Sequence, residues 1–253
     1  MSRLEQLGIR GAKIDFFDQQ DSTATATDDL EDTQARLQLR DFLTETAAKH
    51  HLMVEYHGAA IPSGERRRWP NLASAEAVYG LERRTQNLQH DLTIPYVRNA
   101  MGLVSYTPFH LSRSIGSLAY QLGQTVIYET GIQIFAERYD RILGFSGVEF
   151  LKALPATWDE TRFVEGAPGS HTVVARRKGK AWFVGAISGE ARTVRLPLAF
   201  LDDGVSYEAE IHRDGASKAD LVIEKRLVGR RDTLALRTLA PGGFALRIAP
   251  ANP

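Results

Sequence analysis

Gly11-Ala12-Lys13-Ile14-Asp15-Phe16-Phe17 and, further on, His51-Leu52-Met53-Val54-Glu55-Tyr56-His57-Gly58 are two short, largely apolar runs. Between them lie a polar loop over 19–29 and a helical spacing over 33–49, with Leu37, Leu39, Phe42, Leu43 and residues 46–48 near one face. Strand, helix and strand in that order read as a βαβ unit and predict a parallel sheet. The alternation continues outward, with candidate strands at 77–82, 92–97 and 132–136 and a helix over 117–129.

Past Trp158 the texture changes. Short runs at 172–177, 181–187, 193–198, 207–213, 219–226, 232–239 and 243–248 read as strands, the first two joined by Lys178-Gly179-Lys180 as a hairpin. Closely spaced strands of this kind predict an antiparallel β-sandwich. The expected fold class is therefore α/β followed by all-β, with domains 1–155 and 156–253 and the boundary within 154–162. The first region offers about five parallel strands, whereas a (β/α)8 barrel has eight in roughly 250 residues. Either the sheet is open and small or the N-terminal part of a larger enzyme is absent, and the second reading, a partial barrel, is the expectation.

Composition bounds the function. The chain has 253 residues, 31 basic and 31 acidic side chains, 43 % hydrophobic and 25 % charged residues, the proportions of an ordinary globular protein. Intrinsic disorder and a polyanion-binding basic protein are poor readings. No apolar run reaches the ~18 residues that a membrane-spanning helix needs, and residues 1–8 lack the apolar core of a signal peptide. With no cysteine, disulfides, thiolate zinc sites and cysteine nucleophiles are excluded. There is no glycine-rich phosphate loop, Gly-x-Ser-x-Gly elbow or zinc motif.

Asp15 ends the first strand, where a carboxylate reads either as a solvated turn residue or as part of a barrel rim, the site of barrel chemistry. Glu82, after Tyr79-Gly80-Leu81, is a second carboxylate at a candidate strand end, with Glu76 before it. Two rim carboxylates are what glycoside hydrolysis requires, one ionised and the other protonated. His57 reads as hydrogen-bonded packing or as a site residue. Arg66-Arg67-Arg68 reads as a solvated face or, beside Trp69, as the frame of a sugar or carboxylate pocket. Trp69 and Tyr79 are core or sugar-stacking aromatics.

Several segments together resemble glycoside hydrolase family 97: 11–18, 51–58, Arg68-Trp69-Pro70-Asn71, Glu76-Ala77-Val78-Tyr79-Gly80-Leu81-Glu82, Ser105-Tyr106-Thr107-Pro108, 150–155, Thr157-Trp158-Asp159-Glu160-Thr161-Arg162 and 175–179. They follow family order over nearly the whole chain. The resemblance implies an exo-acting α-glycosidase in which an N-terminal β-domain, a (β/α)8 barrel and a C-terminal β-domain succeed one another. This chain matches the barrel from about strand 4 to strand 8 and the C-terminal domain.

By the same resemblance Asp15 matches the nucleophile of retaining members, and Glu82 the acid/base residue. The base glutamate of inverting members is absent, its place taken by Gly58. Retention would place the two carboxylates ~5–5.5 Å apart. Lys13, His57, Arg68 and Trp69 are expected at the substrate, an α-linked oligosaccharide or α-galactoside, with α-galactosidase favoured over α-glucosidase. The family binds calcium through glutamates; Glu76 and Glu82 match two of its ligands, and calcium takes six to eight oxygens. Family members are often exported to the bacterial periplasm. Two departures stand out: a long 20–31 link after Asp15, and Ser105 where an aspartate is expected. The competing readings are an inactive fragment that associates to cover its open strand edges, and a carbohydrate-binding module over 158–253.

Overall fold

A computed structural model describes residues 1–15, 33–58, 60–82 and 87–251. Its first part runs α1 (Ser2–Gln6), β1 (Gly11–Ile14), α2 (Gln34–Lys49), β2 (Met53–Tyr56), α3 (Glu65–Arg68) and β3 (Leu72–Ala75). The three strands are parallel, in the order β1-β2-β3. Thr33 caps α2, its hydroxyl accepting from the Arg36 amide at 3.4 Å. Arg40, Thr44 and Ala47, at helical spacing, turn inward, and the Tyr56 hydroxyl donates to the Arg40 carbonyl at 2.9 Å. Ala47, Leu52, Val54, Tyr56 and Leu72 form the small core between helix and sheet.

Three expected strands are absent. The third parallel strand is 72–75 rather than 77–82, because Ala77 adopts a φ of +61° and turns the chain out of the sheet. Leu72-Ala73-Ser74-Ala75 is too short and too poor in β-branched residues for alternation to mark it. Of the strand expected at 92–97, residues 92–96 belong to α4 (Leu88–Thr93) and a 3₁₀ turn (Ile94–Tyr96), because Asn87 caps the helix by accepting from the His90 amide at 3.2 Å and Pro95 follows. Residues 132–136 form no strand. The parallel sheet of the described residues thus has three strands rather than five. Two irregular segments run beside β3, with the Ser105 amide donating to Ala75 at 3.0 Å and that of Gly131 to Ala73 at 3.1 Å. The 20–31 link lies outside the described residues.

After α5 (Leu118–Ile127), α6 (Tyr139–Leu143) and α7 (Val148–Ala153), the chain is all β. Strands β4 (Glu160–Ala167), β5 (His171–Lys178), β6 (Ala181–Ser188), β8 (Tyr207–Asp214), β9 (Leu221–Val228) and β11 (Gly242–Pro250) form an antiparallel sheet in the order β4-β5-β6-β11-β8-β9. β7 (Arg192–Pro197) and β10 (Thr233–Thr238) form a second antiparallel pair. Trp182, Val184, Phe244 and Leu246 from the first sheet share a core with Val194, Leu196, Leu234 and Leu236 from the second, as strand alternation requires. β4, where the domain boundary was expected, carries no strand pattern in the sequence because it is an edge strand none of whose residues is fully buried.

The large sheet is covered on both faces. Phe183 and Ile187 point away from the sandwich into a second core with Leu122, Val126, Tyr106 and Phe150, so the two halves of the chain share packing. α5 lies almost on the sheet backbone where Gly123, Gly185 and Gly243 meet it. A β-carbon on Gly185 would come 2.6 Å from the Gly123 carbonyl oxygen and 2.8 Å from the Val126 β-carbon. Gly185→Val is therefore expected to destabilise the chain by about 3 kcal/mol through overpacking, read as a lowered midpoint in urea. An unchanged midpoint would show that the helix can lift off freely.

Two buried polar groups accompany this packing. Asp91 accepts from the Tyr106 hydroxyl at 2.7 Å and the Gln124 amide at 3.4 Å, and its burial raises its pKa to about 7 against those hydrogen bonds. His212, its ring centroid 5.0 Å from that of Phe150, is pushed down to about 4 by burial. No helix is long and apolar enough to cross a membrane among the described residues.

Candidate active site

The register of the parallel sheet decides what meets at its C-terminal end. Ile14 pairs with Tyr56 and Tyr56 with Ala75, so the next residues, Asp15, His57 and Glu76, stand side by side one step beyond the strands. The His57 Nδ1 lies 2.9 Å from Asp15 Oδ1, and its Nε2 lies 3.5 Å from Glu76 Oε2. One imidazole therefore bridges the carboxylates of the two flanking strands. Two residues below, and hence on the same face, Lys13 and Glu55 face each other. The Lys13 ammonium contacts Glu76 and lies 3.5 Å from Glu55.

Electrostatics bind these two rows together. Burial pulls the Lys13 pKa down, but the hydrogen bond and charge of Glu76 and the charge of Glu55 outweigh it, and the net shift is upward. Glu55 is fully buried, and burial raises its pKa against the opposing pull of the Ser105 hydroxyl and Lys13. Ser105 donates to Glu55 Oε1 at 2.8 Å. An aspartate at 105 would set a second carboxylate against a buried one, which gives the departure at Ser105 a local physical reason.

Glu82 reaches the same region from the loop after β3. Leu81 is buried and anchors the loop, and the Thr107 hydroxyl donates to Glu82 Oε2. A β-carbon on Gly80 would strike Glu82 and Thr107, so glycine lets the chain fold back this tightly. Thr107 itself adopts a φ of +52°, a conformation rare for a β-branched residue and frequent where a site is held against local preference. His57, Gly58, Glu76, Tyr79, Glu82 and His90 line a cavity of about 440 Å³. His90 accepts from the Tyr79 amide through Nε2 at 3.0 Å, and burial lowers its pKa.

The structure thus brings Lys13, Asp15, His57, Glu76 and Glu82 to one end of the parallel sheet. It does not bring Arg68 and Trp69 there. Both line a separate cavity under α2 and α3, where Arg68 pairs with Asp41 at 2.9 Å and lies over the Trp69 ring. Arg68 ends α3 and Trp69 follows it, leading into the N-terminal end of β3, away from the strand ends that carry the site. Glu55, Thr107 and His90 went unnoticed in the sequence. Glu55 carried a signal, since it stands two residues before His57 and shares its face; the other two reach the site through loops.

The oxygens of Glu76 and Glu82, which line one cavity, are hard donors of the kind calcium prefers. Two carboxylates are fewer than calcium needs, and no group of three metal-ligating side chains converges among the described residues.

A family model described as Glycoside hydrolase 97 matches residues 1–78, and one described as Glycosyl-hydrolase 97 C-terminal, oligomerisation matches residues 157–249. A Streptomyces bingchenggensis protein named "Probable retaining alpha-galactosidase" is 39 % identical over 96 % of this chain and 36 % of its own length. The "Retaining alpha-galactosidase" of Bacteroides thetaiotaomicron is 28 % identical over 96 % of this chain and 39 % of its own. The chain thus spans little more than a third of either relative. A solved structure from Pseudoalteromonas sp. strain K8, in complex with acarbose, superposes with a TM-score of 0.88 at 27 % identity, over 98 % of this chain and 43 % of that one.

Proposed function

The chain belongs to glycoside hydrolase family 97, and from that premise we propose that it carries the catalytic carboxylates of a retaining exo-α-glycosidase that prefers α-galactosides to α-glucosides. The observation that carries the reading is the row Asp15, His57 and Glu76 on three adjacent parallel strands, with Glu82 lining the cavity beside it. In this reading β1, β2 and β3 are consecutive strands of a (β/α)8 barrel over residues 1–155, whose active site lies at the C-terminal strand ends. Residues 156–253 are the β-domain, which in this reading joins copies of the protein. The printed names of the two curated relatives support retention and galactose, as does glycine at position 58.

Asp15 attacks the anomeric carbon as the glycosidic bond breaks, and Glu82 delivers its proton to the leaving oxygen. Water then gives a proton to Glu82, attacks the same carbon and releases Asp15. His57 orients the Asp15 carboxylate, and Lys13 balances the charge of Glu76 and Glu55 beneath it. Calcium, when bound, would sit on Glu76 and Glu82 and supply positive charge near the leaving oxygen.

The test is hydrolysis of aryl α-galactoside and aryl α-glucoside by the 253-residue chain, with calcium and with chelator. Faster release from the galactoside, strengthened by calcium, is expected. Preference for the glucoside would overturn the sugar assignment. A second reading, a chain inactive by itself, draws on β1, which pairs only with β2 among the described residues. It predicts no release from either substrate and self-association on sizing.

A further inference from the structure

Glu82 lies in a turn rather than on a strand or helix, so its carboxylate needs something else to aim it. Its Oε2 meets the Thr107 hydroxyl, which also lies 2.6 Å from the Tyr106 carbonyl oxygen. Gly80 packs against this contact. A β-carbon there would strike Thr107 Oγ1, the Tyr106 carbonyl oxygen and Glu82 Oε2 together. Hydroxyl, carbonyl and carboxylate are thus crowded into the space that a side chain at position 80 would fill.

The segment that presents Thr107 is bent against its own preference. Thr107 has a φ of +52° and Phe109 one of +78°, left-handed conformations that bulky residues rarely adopt. Such conformations persist only where the surroundings over-determine them, and here they do so from both ends. Upstream, the Ser105 amide donates to Ala75 at 3.0 Å, and buried Tyr106 donates its hydroxyl to Asp91 at 2.7 Å. Downstream, Phe109 is fully buried, its ring centroid 4.7 Å from that of Phe145. The Pro108 carbonyl accepts from the Ala136 amide at 3.2 Å. The amides of His110 and Leu111 donate to Gln121 Oε1 at 2.6 Å and Glu137 Oε2 at 2.9 Å. A hydroxyl fixed this firmly removes rotational freedom from the carboxylate it holds, and orientation of this kind lowers a barrier.

We propose that Thr107 is the positioning residue of the acid/base carboxylate, its hydroxyl fixed by the strained 106–109 backbone and holding Glu82 in the pose that delivers a proton to the leaving oxygen. The proposal rests on the assignment of Glu82 as the acid.

The test is the dependence of rate on the leaving group. Dinitrophenolate departs without a proton, whereas phenolate is helped by one, so a misplaced acid slows only the second. The quantity compared is kcat/KM for phenyl and dinitrophenyl α-galactosides, which reports bond cleavage from free enzyme and substrate. Thr107→Val is expected to lose about tenfold on the phenyl substrate and little on the dinitrophenyl one. Thr107→Ser, which keeps the hydroxyl, should stay near the native chain. Glu82→Ala is the control. If it shows the leaving-group dependence and Thr107→Val does not, the proposal alone is overturned. If Glu82→Ala slows both substrates equally, the acid assignment falls and the proposal with it. Should Thr107→Val fail to fold, Gly80→Ala decides. Gly80 has no left-handed φ, so alanine there acts by displacing the contact, and equal rates on both substrates relative to the native chain overturn the proposal. A double-mutant cycle in urea needs no turnover. The midpoint shift of Thr107→Val with Glu82→Ala should be smaller than the sum of the single shifts, and additive shifts overturn the contact.

Discussion

Asp15→Asn is expected to lower turnover of aryl α-galactoside by at least about 10³-fold, because an amide cannot displace the leaving group and the acid/base residue alone does not make the covalent intermediate. Asp15 sits beyond the end of β1 and is partly exposed, so the melting temperature should be unchanged and the loss read as chemistry. The stronger form of the test uses Asp15→Gly with azide. The small anion occupies the space of the missing carboxylate and attacks the anomeric carbon from the same side, giving a glycosyl azide of inverted configuration. Restored aglycone release with that product would identify Asp15 as the nucleophile. Full activity of Asp15→Asn would sink the mechanism, and loss without azide rescue would leave Asp15 a positioning residue.

The second large effect concerns stability against pH. Asp91 has a pKa near 7 in the folded protein, against 3.8 for the free group. The native state therefore holds a proton that the unfolded chain has released, and stability from this residue falls as pH rises from about 4 to about 7. The difference amounts to on the order of 4 kcal/mol. His212 works in the opposite direction. Its folded pKa near 4 lies below the free value of 6.5, so its contribution is lost as pH falls from about 6.5 to about 4, on the order of 3 kcal/mol.

Over most of that range the two slopes oppose each other, and their sum in the native protein is small. Asp91→Asn removes one of them. Asparagine still accepts from Tyr106, and its amide can donate to Gln124 Oε1, which has no hydrogen-bond partner among the described residues. In urea titrations from pH 4 to pH 8, the variant should gain stability relative to the native protein steadily as pH rises, levelling off above pH 7. His212→Gln should gain relative to the native protein as pH falls below 6.5. Parallel curves for Asp91→Asn and the native protein would refute a buried proton on Asp91.

What the sequence determined by itself is local. Thr33 and Ser117 stand as hydrogen-bonding caps at the starts of α2 and α5, and a cap acts within three residues. The alternation of Leu234, Leu236 and Thr238 with exposed neighbours made β10 readable, because a strand's two faces repeat every second residue. The segments carrying Asp15, His57, Glu76 and Glu82 were legible as family motifs. Tertiary structure decided what those residues touch. The strand registers set Asp15, His57 and Glu76 in one row and Lys13 against Glu55, and a loop 50 residues away in sequence supplies the Ser105 hydroxyl. β3 and β4 are held by pairing with their neighbours rather than by patterns of their own. Arg68 and Trp69 stand close to the site motifs in sequence yet open onto another cavity, because the direction of β3 carries the chain from that cavity to the rim.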